Sequence, residues 1–146
     1  MKSILLFITG GLITLNSNGQ NFKKIDESEA NSKKVLIAQK FSNDYLTKVK
    51  NGSYYEFKDE AIDAVKNGFT EQSQKTFYEQ LKAQFGEFQS LVYAETWIQE
   101  GNSTMKIFRF KGDFAKSNKK LEIRVVLDSN DKIAGFWIKP WSDMLK

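Results

Sequence analysis

The fold is decided by two alternating stretches and the polar turn between them, in residues 104–127, TMKIFRFKGDFAKSNKKLEIRVVL. In the first stretch Phe108 and Phe110 fall on one side of an extended chain, and Arg109 falls on the other. The second stretch begins at Leu121 and repeats the alternation of apolar and charged residues. A period of two is typical of β-strands, so this segment predicts two neighbouring antiparallel strands.

The same alternation continues on both sides of this hairpin. It predicts four strands, over residues 88–99, 104–114, 121–127 and 133–139. Before residue 86 the apolar spacing is near 3.6 instead, which predicts helices over residues 28–50, 54–65 and 70–85. Helices followed by consecutive strands with short turns predict an α+β fold, in which N-terminal helices cover an antiparallel sheet of about four strands.

The first nineteen residues have the order of a secretory signal peptide. The positively charged Lys2 is followed by an apolar run over residues 4–15 and by small, polar residues at positions 16–19. The run is too short to span a bilayer, so we expect no stable membrane anchor after processing. We expect residues 1–19 to be removed, residues 20–31 to form a flexible segment, and residues 32–146 to form one secreted or periplasmic domain.

Composition excludes several classes of function. The chain has 22 Lys and Arg against 18 Asp and Glu, and this small, dispersed surplus predicts no nucleic-acid partner. It has no Cys and no His, which excludes disulfides, thiol chemistry and histidine triads. We expect no metal site and no cofactor, and any general base must be Asp, Glu, Lys or Tyr.

Three further segments carry a family resemblance. They are residues 51–57, NGSYYEF, residues 77–88, FYEQLKAQFGEF, and residues 121–140, LEIRVVLDSNDKIAGFWIKP. From Val35 to Pro140 the chain resembles the small, secreted, uncharacterised bacterial domains of the nuclear-transport-factor-2-like (SnoaL-like) superfamily. The resemblance implies an α+β cone, with a long helix packed into a strongly bent sheet and an open mouth leading to a pocket.

Members of that superfamily include isomerases, cyclases, dehydratases, transport adaptors and binding modules, so the resemblance implies a fold more than an activity. Its catalytic members usually place an Asp, often with His, Tyr or Arg, inside the cone. This chain has no His, and no residue of it matches an isomerase acid–base pair one-to-one.

Charged residues on neighbouring predicted strands form the first candidate site. Arg109, Glu122 and Arg124 lie on the faces opposite the apolar alternation. In one interpretation they line a pocket and bind an acidic ligand through bidentate contacts. In the other they are cross-strand pairs on a solvated surface.

Aromatic residues form the second candidate site, a cavity for a lipid-like or ring-shaped ligand. The candidates are Tyr54, Tyr55, Tyr93, Trp97, Phe136 and Trp137. Tyr93 and Trp97 are the better pair, because they are four residues apart and so share one face of a regular strand. The alternative is that these rings belong to the hydrophobic core.

These observations favour a secreted, non-enzymatic binding or accessory domain for a small apolar ligand or a protein. The alternative is a carboxylate-based isomerase or lyase of the SnoaL-like type, with Asp59, Asp63 or Glu95 as the base. A third hypothesis is a dimerising or scaffold module without a ligand, because an uncovered sheet face with Trp97 or Trp137 would be an exposed apolar patch and would favour a homodimer through the sheet.

Overall fold

The computed structural model describes residues 21–100 and 102–145, in which helices pack against an antiparallel sheet. The elements of this part of the chain are β1 (Phe22–Ile25), α1 (Glu27–Ala30), α2 (Ser32–Lys50), α3 (Asp63–Gly68), α4 (Glu71–Phe85), β2 (Phe88–Gln99), β3 (Asn102–Phe114), β4 (Leu121–Leu127) and β5 (Ile133–Pro140). The strands pair in the order β1-β2-β3-β4-β5, each antiparallel to its neighbours. The α+β class is confirmed, with five strands in the described part rather than about four.

Strand β1 accounts for the difference in strand number. It lies in the segment after the predicted signal peptide, for which the sequence predicts flexibility. Phe22 pairs with Gln99, and Ile25 pairs with Thr96 and is buried. A strand of four residues with two adjacent lysines is too short to show an alternation, so only its pairing with β2 reveals it. The predicted signal peptide, residues 1–19, lies outside the described residues.

Helix α2 forms within the range that the apolar spacing predicts, although it begins later. It starts after Asn31, whose side chain accepts a hydrogen bond from the main-chain N–H of Lys33 at 3.1 Å. Gly52, with φ +77°, follows the helix and supplies the left-handed conformation that ends it. The buried residues of α2 are Ala38, Phe41, Ser42, Tyr45, Leu46 and Val49.

Residues 54–62 are not helical, so the predicted second helix is wrong except for the short α3. The side-chain amide of Gln74 holds the main chain of Tyr55, donating to its carbonyl at 2.9 Å and accepting from its N–H at 3.0 Å. Ala61 forms an isolated parallel bridge with Ile133 at the start of β5. Because these main-chain groups have partners elsewhere in the fold, they do not form a helical ladder.

A β-bulge in β2 changes which side of the sheet its residues occupy. Tyr93 pairs with Phe110, and the register shifts so that Glu95 pairs with Arg109. One extra residue inverts the alternation of the residues that follow it. Tyr93 therefore packs against the core beneath the helices, whereas Trp97 lies on the opposite side of the sheet. The prediction that Tyr93 and Trp97 share one face is wrong for this reason.

The larger hydrophobic core fills the space between the helices and the sheet. Aromatic rings contact one another there with centroids between 4.9 and 6.4 Å apart. These rings belong to Phe41, Tyr45, Tyr55, Phe57, Phe69 and Phe136. Tyr45 is fully buried, and its hydroxyl has no hydrogen-bond partner among the described residues.

A smaller core covers part of the outer face, by which we mean the side of the sheet that faces away from the helices. Its buried residues are Trp97, Ile107, Val126 and Ala134. Phe22 of β1 and Leu145, near the end of the described chain, both pack against it. The sheet is therefore covered by apolar side chains on both sides, with the helices on one side only.

Candidate functional site

Most of the residues predicted as a site meet on the outer face of the sheet. They are Trp97, Arg109, Glu122 and Arg124. Tyr93, the remaining candidate, lies on the helix side, where its hydroxyl is 2.8 Å from Oγ1 of Thr96. The β2 bulge separates it from the others.

Arg109 is the centre of this group and is fully buried. It binds Glu122 of β4 in a bidentate way, with Nε 3.0 Å from Oε1 and Nη2 2.9 Å from Oε2. Its Nη1 donates to Glu95 of β2, and Arg124 donates to the same Glu122. Parallel hydrogen bonds between guanidinium and carboxylate are among the strongest polar contacts in proteins. We call Lys24, Glu95, Arg109, Glu122 and Arg124 the outer-face ion cluster.

Glu95 joins this cluster to β1. Lys24 Nζ lies 2.9 Å from its Oε2, and Trp97 Nε1 donates to its Oε1 at 2.9 Å. Burial raises the pKa of Glu95, but the bonds from Lys24 and Trp97 and the charge of Arg109 lower it below the usual value. For Arg109, burial lowers the pKa, and its two carboxylate partners more than compensate, so the net shift is upward.

The segment that follows β5 covers the cluster; we call residues 141–145 the C-terminal segment. The ring of Trp141 lies 4.2 Å from the Arg109 guanidinium and 4.7 Å from Lys111 Nζ. The main-chain carbonyl of Ser142 accepts a hydrogen bond from Arg109 Nη2. Arg109 is thus held by carboxylates within the sheet and by an aromatic ring and a carbonyl above it.

This geometry limits what the cluster can do chemically. Arg109, Glu122 and Arg124 are at most 3% exposed, so the interpretation as solvated surface pairs is wrong. The hypothesis of an acidic ligand at these residues stays a prediction, and such a ligand would have to displace the C-terminal segment. Neither Glu95 nor Glu122 is a free base, because each carboxylate is ion-paired.

A second site lies on the helix side, in a groove between the C-terminal end of α2 and helix α4. This α2–α4 groove has a volume of about 380 Å³ and is lined by Val49, Lys50, Ser53, Tyr54 and Tyr78, with charged residues of α4 along its rim. Known small-molecule pockets begin near this size. Tyr54 is 39% exposed, so its ring is accessible at the groove.

Two polar groups in the α2–α4 groove lack an anionic partner. Lys50 Nζ donates to the carbonyl of Phe88 at 2.9 Å, and no carboxylate of the described residues forms an ion pair with it. Tyr78 is 6% exposed, and its hydroxyl has no hydrogen-bond partner among the described residues. Burial raises the pKa of Tyr78, and a polar contact with the Phe88 main chain opposes that shift.

The other two acids predicted as a base are not enclosed. Asp59 and Asp63 are exposed, and Asp63 pairs with Lys66 at 2.9 Å. Within residues 21–100 and 102–145, no group of three or more acidic side chains is arranged to hold a metal ion. In the same part of the chain, no helix is long and apolar enough to cross a membrane.

Sequence reasoning missed Lys50 and Tyr78 as members of a site. In the sequence Lys50 is the last residue of a helix, and Tyr78 belongs to the apolar stripe of another. No signal in the sequence shows that the ends of these helices are neighbours. Only Tyr54 was predicted, as one of the aromatic candidates.

Comparisons with known proteins give a family and no activity. A profile of the family described as "Protein of unknown function (DUF3887)" matches residues 42–136. The chain is also similar to the DNA-directed RNA polymerase subunit beta' of Sulfurovum sp. (strain NBC37-1), at 27% identity over 139 residues, which cover 85% of this chain. It spans only 9% of the length of that curated relative. No solved structure matches the chain. The profile extends from within α2 into β5, and the chain therefore belongs to the family of unknown function DUF3887.

Proposed function

We propose that this protein is a secreted, non-enzymatic binding domain whose ligand occupies the α2–α4 groove. The observation that carries the proposal is the groove itself, a cavity of about 380 Å³ whose walls combine Lys50, which has no carboxylate partner among the described residues, with the accessible ring of Tyr54. Ligand pockets of this size combine apolar walls with a few polar groups that fix the orientation of the ligand.

Binding is favoured over catalysis by the state of the acids. The alternative, a carboxylate-based isomerase or lyase, needs a carboxylate that is enclosed and free to take a proton. Glu95 is paired with Arg109 and Lys24, while Asp59 and Asp63 are exposed. None of the three acids predicted as a base meets that requirement.

The proposal includes two points that rest on the sequence. Secretion rests on the order of residues 1–19. Membership of the nuclear-transport-factor-2-like superfamily rests on the quoted segments, and the packing of α2 on an antiparallel sheet supports it.

The hypothesis of a homodimer through the sheet rests on an uncovered face that carries Trp97 or Trp137. Trp97 is only 9% exposed, because Phe22 and Leu145 pack against the same small core. Trp137 is partly exposed and Val92 is 57% exposed, so a homodimer through this face stays a prediction, and we propose the groove as the ligand site.

Native mass spectrometry of the protein secreted by a bacterial host that expresses the full chain tests the proposal. We expect a stoichiometric bound mass that is lost on denaturation. Ser53→Trp places a large ring in the groove and should remove the bound mass, whereas Ser129→Trp, in the exposed turn before β5, should keep it. A bound mass that survives Ser53→Trp would show that the ligand lies elsewhere.

A further inference from the structure

We infer that the α2–α4 groove binds a neutral hexopyranose sugar, with one face of the sugar ring on Tyr54 and its hydroxyl groups on the charged side chains of α2 and α4. This inference rests on the proposed function, because it names the ligand class of the same groove. Three properties of the groove point to this class: an accessible aromatic ring, a balance of charge, and a row of alternating hydrogen-bond acceptors and donors.

The first property is the ring of Tyr54, which lines the groove and is 39% exposed. Among residues 21–100 and 102–145, no ring–ring or cation–π contact involves Tyr54, whereas the neighbouring Tyr55 packs against Phe41 and Tyr45. The face of an aromatic ring carries partial negative charge, so it attracts the C–H groups that line one face of a pyranose. Tyr54 therefore offers a sugar a surface on which to stack.

The second property is the balance of charge among the side chains that line the groove. The charged ones are Lys50, Lys75, Lys82, Glu71 and Glu79. Lys82 is paired with Glu87 at 2.9 Å, which leaves two cations and two carboxylates. A ligand with a net charge would lose hydration in the groove without a net Coulomb attraction to offset that loss. A neutral ligand avoids this cost.

The third property is the spacing of charges along α4. Glu71, Lys75 and Glu79 are exposed and follow one another at four-residue intervals, so they share one side of the helix. Within the described part of the chain, no ion pair joins Lys75 to either glutamate. A carboxylate accepts hydrogen bonds, an ammonium donates them, and a sugar hydroxyl does both. Neighbouring hydroxyl groups of a sugar can therefore bond to successive members of this row.

Lys50 adds a donor from α2. Its Nζ donates to the carbonyl of Phe88 at 2.9 Å, and an ammonium carries further N–H donors that can reach a sugar hydroxyl. A zwitterion would also match charges of both signs, but it would lose the hydration of two full charges to exposed partners. Ion pairs with exposed groups contribute little, so the neutral sugar is favoured.

Three methyl glycosides that differ only at the exocyclic carbon test the inference. They are the neutral methyl β-D-glucopyranoside, the anionic methyl β-D-glucuronopyranoside and the cationic methyl 6-amino-6-deoxy-β-D-glucopyranoside. Each is titrated into the full-length, ¹⁵N-labelled protein, and the amide shifts of Ser53, Tyr54 and Lys75 are followed. We expect the neutral glycoside to bind about tenfold more tightly than either charged one.

Variants of Tyr54 test the stacking. Tyr54→Ala should weaken binding of the neutral glycoside about tenfold, because it removes the ring, whereas Tyr54→Phe keeps the ring and should keep the affinity. Leu36→Ala is the control, because Leu36 is 64% exposed and does not line the groove. This variant should bind like the unchanged protein. Urea unfolding of each variant confirms that the fold is kept.

A reversal of charge tests the balance. Glu79→Lys gives the groove a net positive charge, so the anionic glucuronide should then bind more tightly than the neutral glycoside. Glu100→Lys makes the same change at an exposed residue that does not line the groove and should leave the original preference. A merely structural role of Glu79 would not exchange the order of the two probes.

A fourth probe, methyl β-cellobioside, distinguishes a free sugar from a glycan. Binding that is tighter than that of the single glucoside would identify a glycan as the source of the sugar, and equal binding would identify a free sugar.

The outcomes separate this inference from the proposed function. If the charged glycosides bind as tightly as the neutral one, or if Tyr54→Ala leaves the affinity unchanged, the ligand class is wrong and the groove remains a binding site. If no glycoside shifts those amides in large excess, the ligand class is also wrong. The native mass measurement with Ser53→Trp then decides independently whether the groove binds anything.

Discussion

The outer-face ion cluster and the α2–α4 groove both hold polar groups out of full contact with water, and they differ in how those groups are partnered. In the cluster, Arg109 is bound by two carboxylates, a carbonyl and an aromatic ring. In the groove, Lys50 has a neutral acceptor and the Tyr78 hydroxyl has no partner among the described residues.

This difference shows why residue type alone is a poor guide to function. The Arg–Glu–Arg group on adjacent strands is the most conspicuous set of charged residues in the sequence, yet these residues form ion pairs with one another. Burying charges is expensive, and the fold offsets that cost by pairing them. The groove carries less conspicuous residues, of which Lys50 keeps a positive charge that no carboxylate of the described residues pairs.

The largest effect is expected from Glu122→Gln. The amide removes the charge that Arg109 and Arg124 share, which leaves both guanidinium groups buried and undercompensated. We expect a loss of about 3–5 kcal/mol in the free energy of unfolding, measured with urea.

Asp113→Asn is the matched control, because Asp113 pairs with the half-exposed Lys120 on the surface. We expect this change to cost less than about 1 kcal/mol. Equal losses for Glu122→Gln and Asp113→Asn would contradict the view that the buried pairs are decisive for stability.

A smaller effect is expected from Trp141→Ala, which removes the ring above Arg109 and Lys111. The lost cation–π contacts and packing should lower the free energy of unfolding by about 1–2 kcal/mol. Met144→Ala changes an exposed residue of the same C-terminal segment and should have almost no effect. If both variants behave alike in urea, the segment does not stabilise the cluster.

Removing a buried hydroxyl should change the free energy of unfolding in opposite directions, depending on whether that hydroxyl has a hydrogen-bond partner. The Tyr45 hydroxyl is buried and has no partner among residues 21–100 and 102–145, so Tyr45→Phe should raise the free energy of unfolding by about 1 kcal/mol. Tyr93→Phe removes a hydroxyl that is bonded to Thr96 and should lower it by about the same amount. Thermal unfolding of the two variants side by side measures this. Destabilisation by both changes would mean that the Tyr45 hydroxyl has a stabilising role.

The smallest effect is the dependence of stability on pH. The pKa of Glu95 is lower in the folded protein than its ordinary value of 4.5, so the folded state binds this proton less readily than the unfolded state. The stabilisation from Glu95 is therefore complete above the unfolded pKa and is lost as the pH falls through the folded one. Glu95→Gln should make the loss of stability below pH about 4.5 less steep in acid titrations followed by circular dichroism. An unchanged slope would show that Glu95 does not contribute.

The elements that could be predicted are those whose signal is local. The alternation in β3 and β4 reflects an apolar side that packs against the helices, and the spacing in α2 and α4 reflects one buried side of each helix. Thr70 is likewise recognisable as an N-cap, and its side chain accepts from the N–H of Ser73 at 3.2 Å.

The elements that could not be predicted depend on distant partners. Residues 54–62 take their conformation from Gln74 and β5, and β1 exists through its pairing with β2. The bulge between Tyr93 and Glu95 cannot be recognised from the residue types, although it changes the side of the sheet on which Trp97 lies.

The candidate site divides in the same way. The closeness of Arg109, Glu122 and Arg124 follows from consecutive strands and was predictable. Their burial was not, because the C-terminal segment that covers them has no periodic pattern. Lys50 and Tyr78 could not be paired from sequence, since α2 and α4 meet only through tertiary packing.

The contact of Phe22 and Leu145 with one small core brings both ends of the described chain to the outer face. A linker that runs along this face would join the described ends on the side away from the groove, and new termini in an exposed turn such as that at Ser117–Asn118 would give a circular permutant. A fluorescent or catalytic module fused at either end would likewise start from this face. The α2–α4 groove, on the helix side, would stay accessible in such fusions, so the domain is suited to engineering as a ligand sensor.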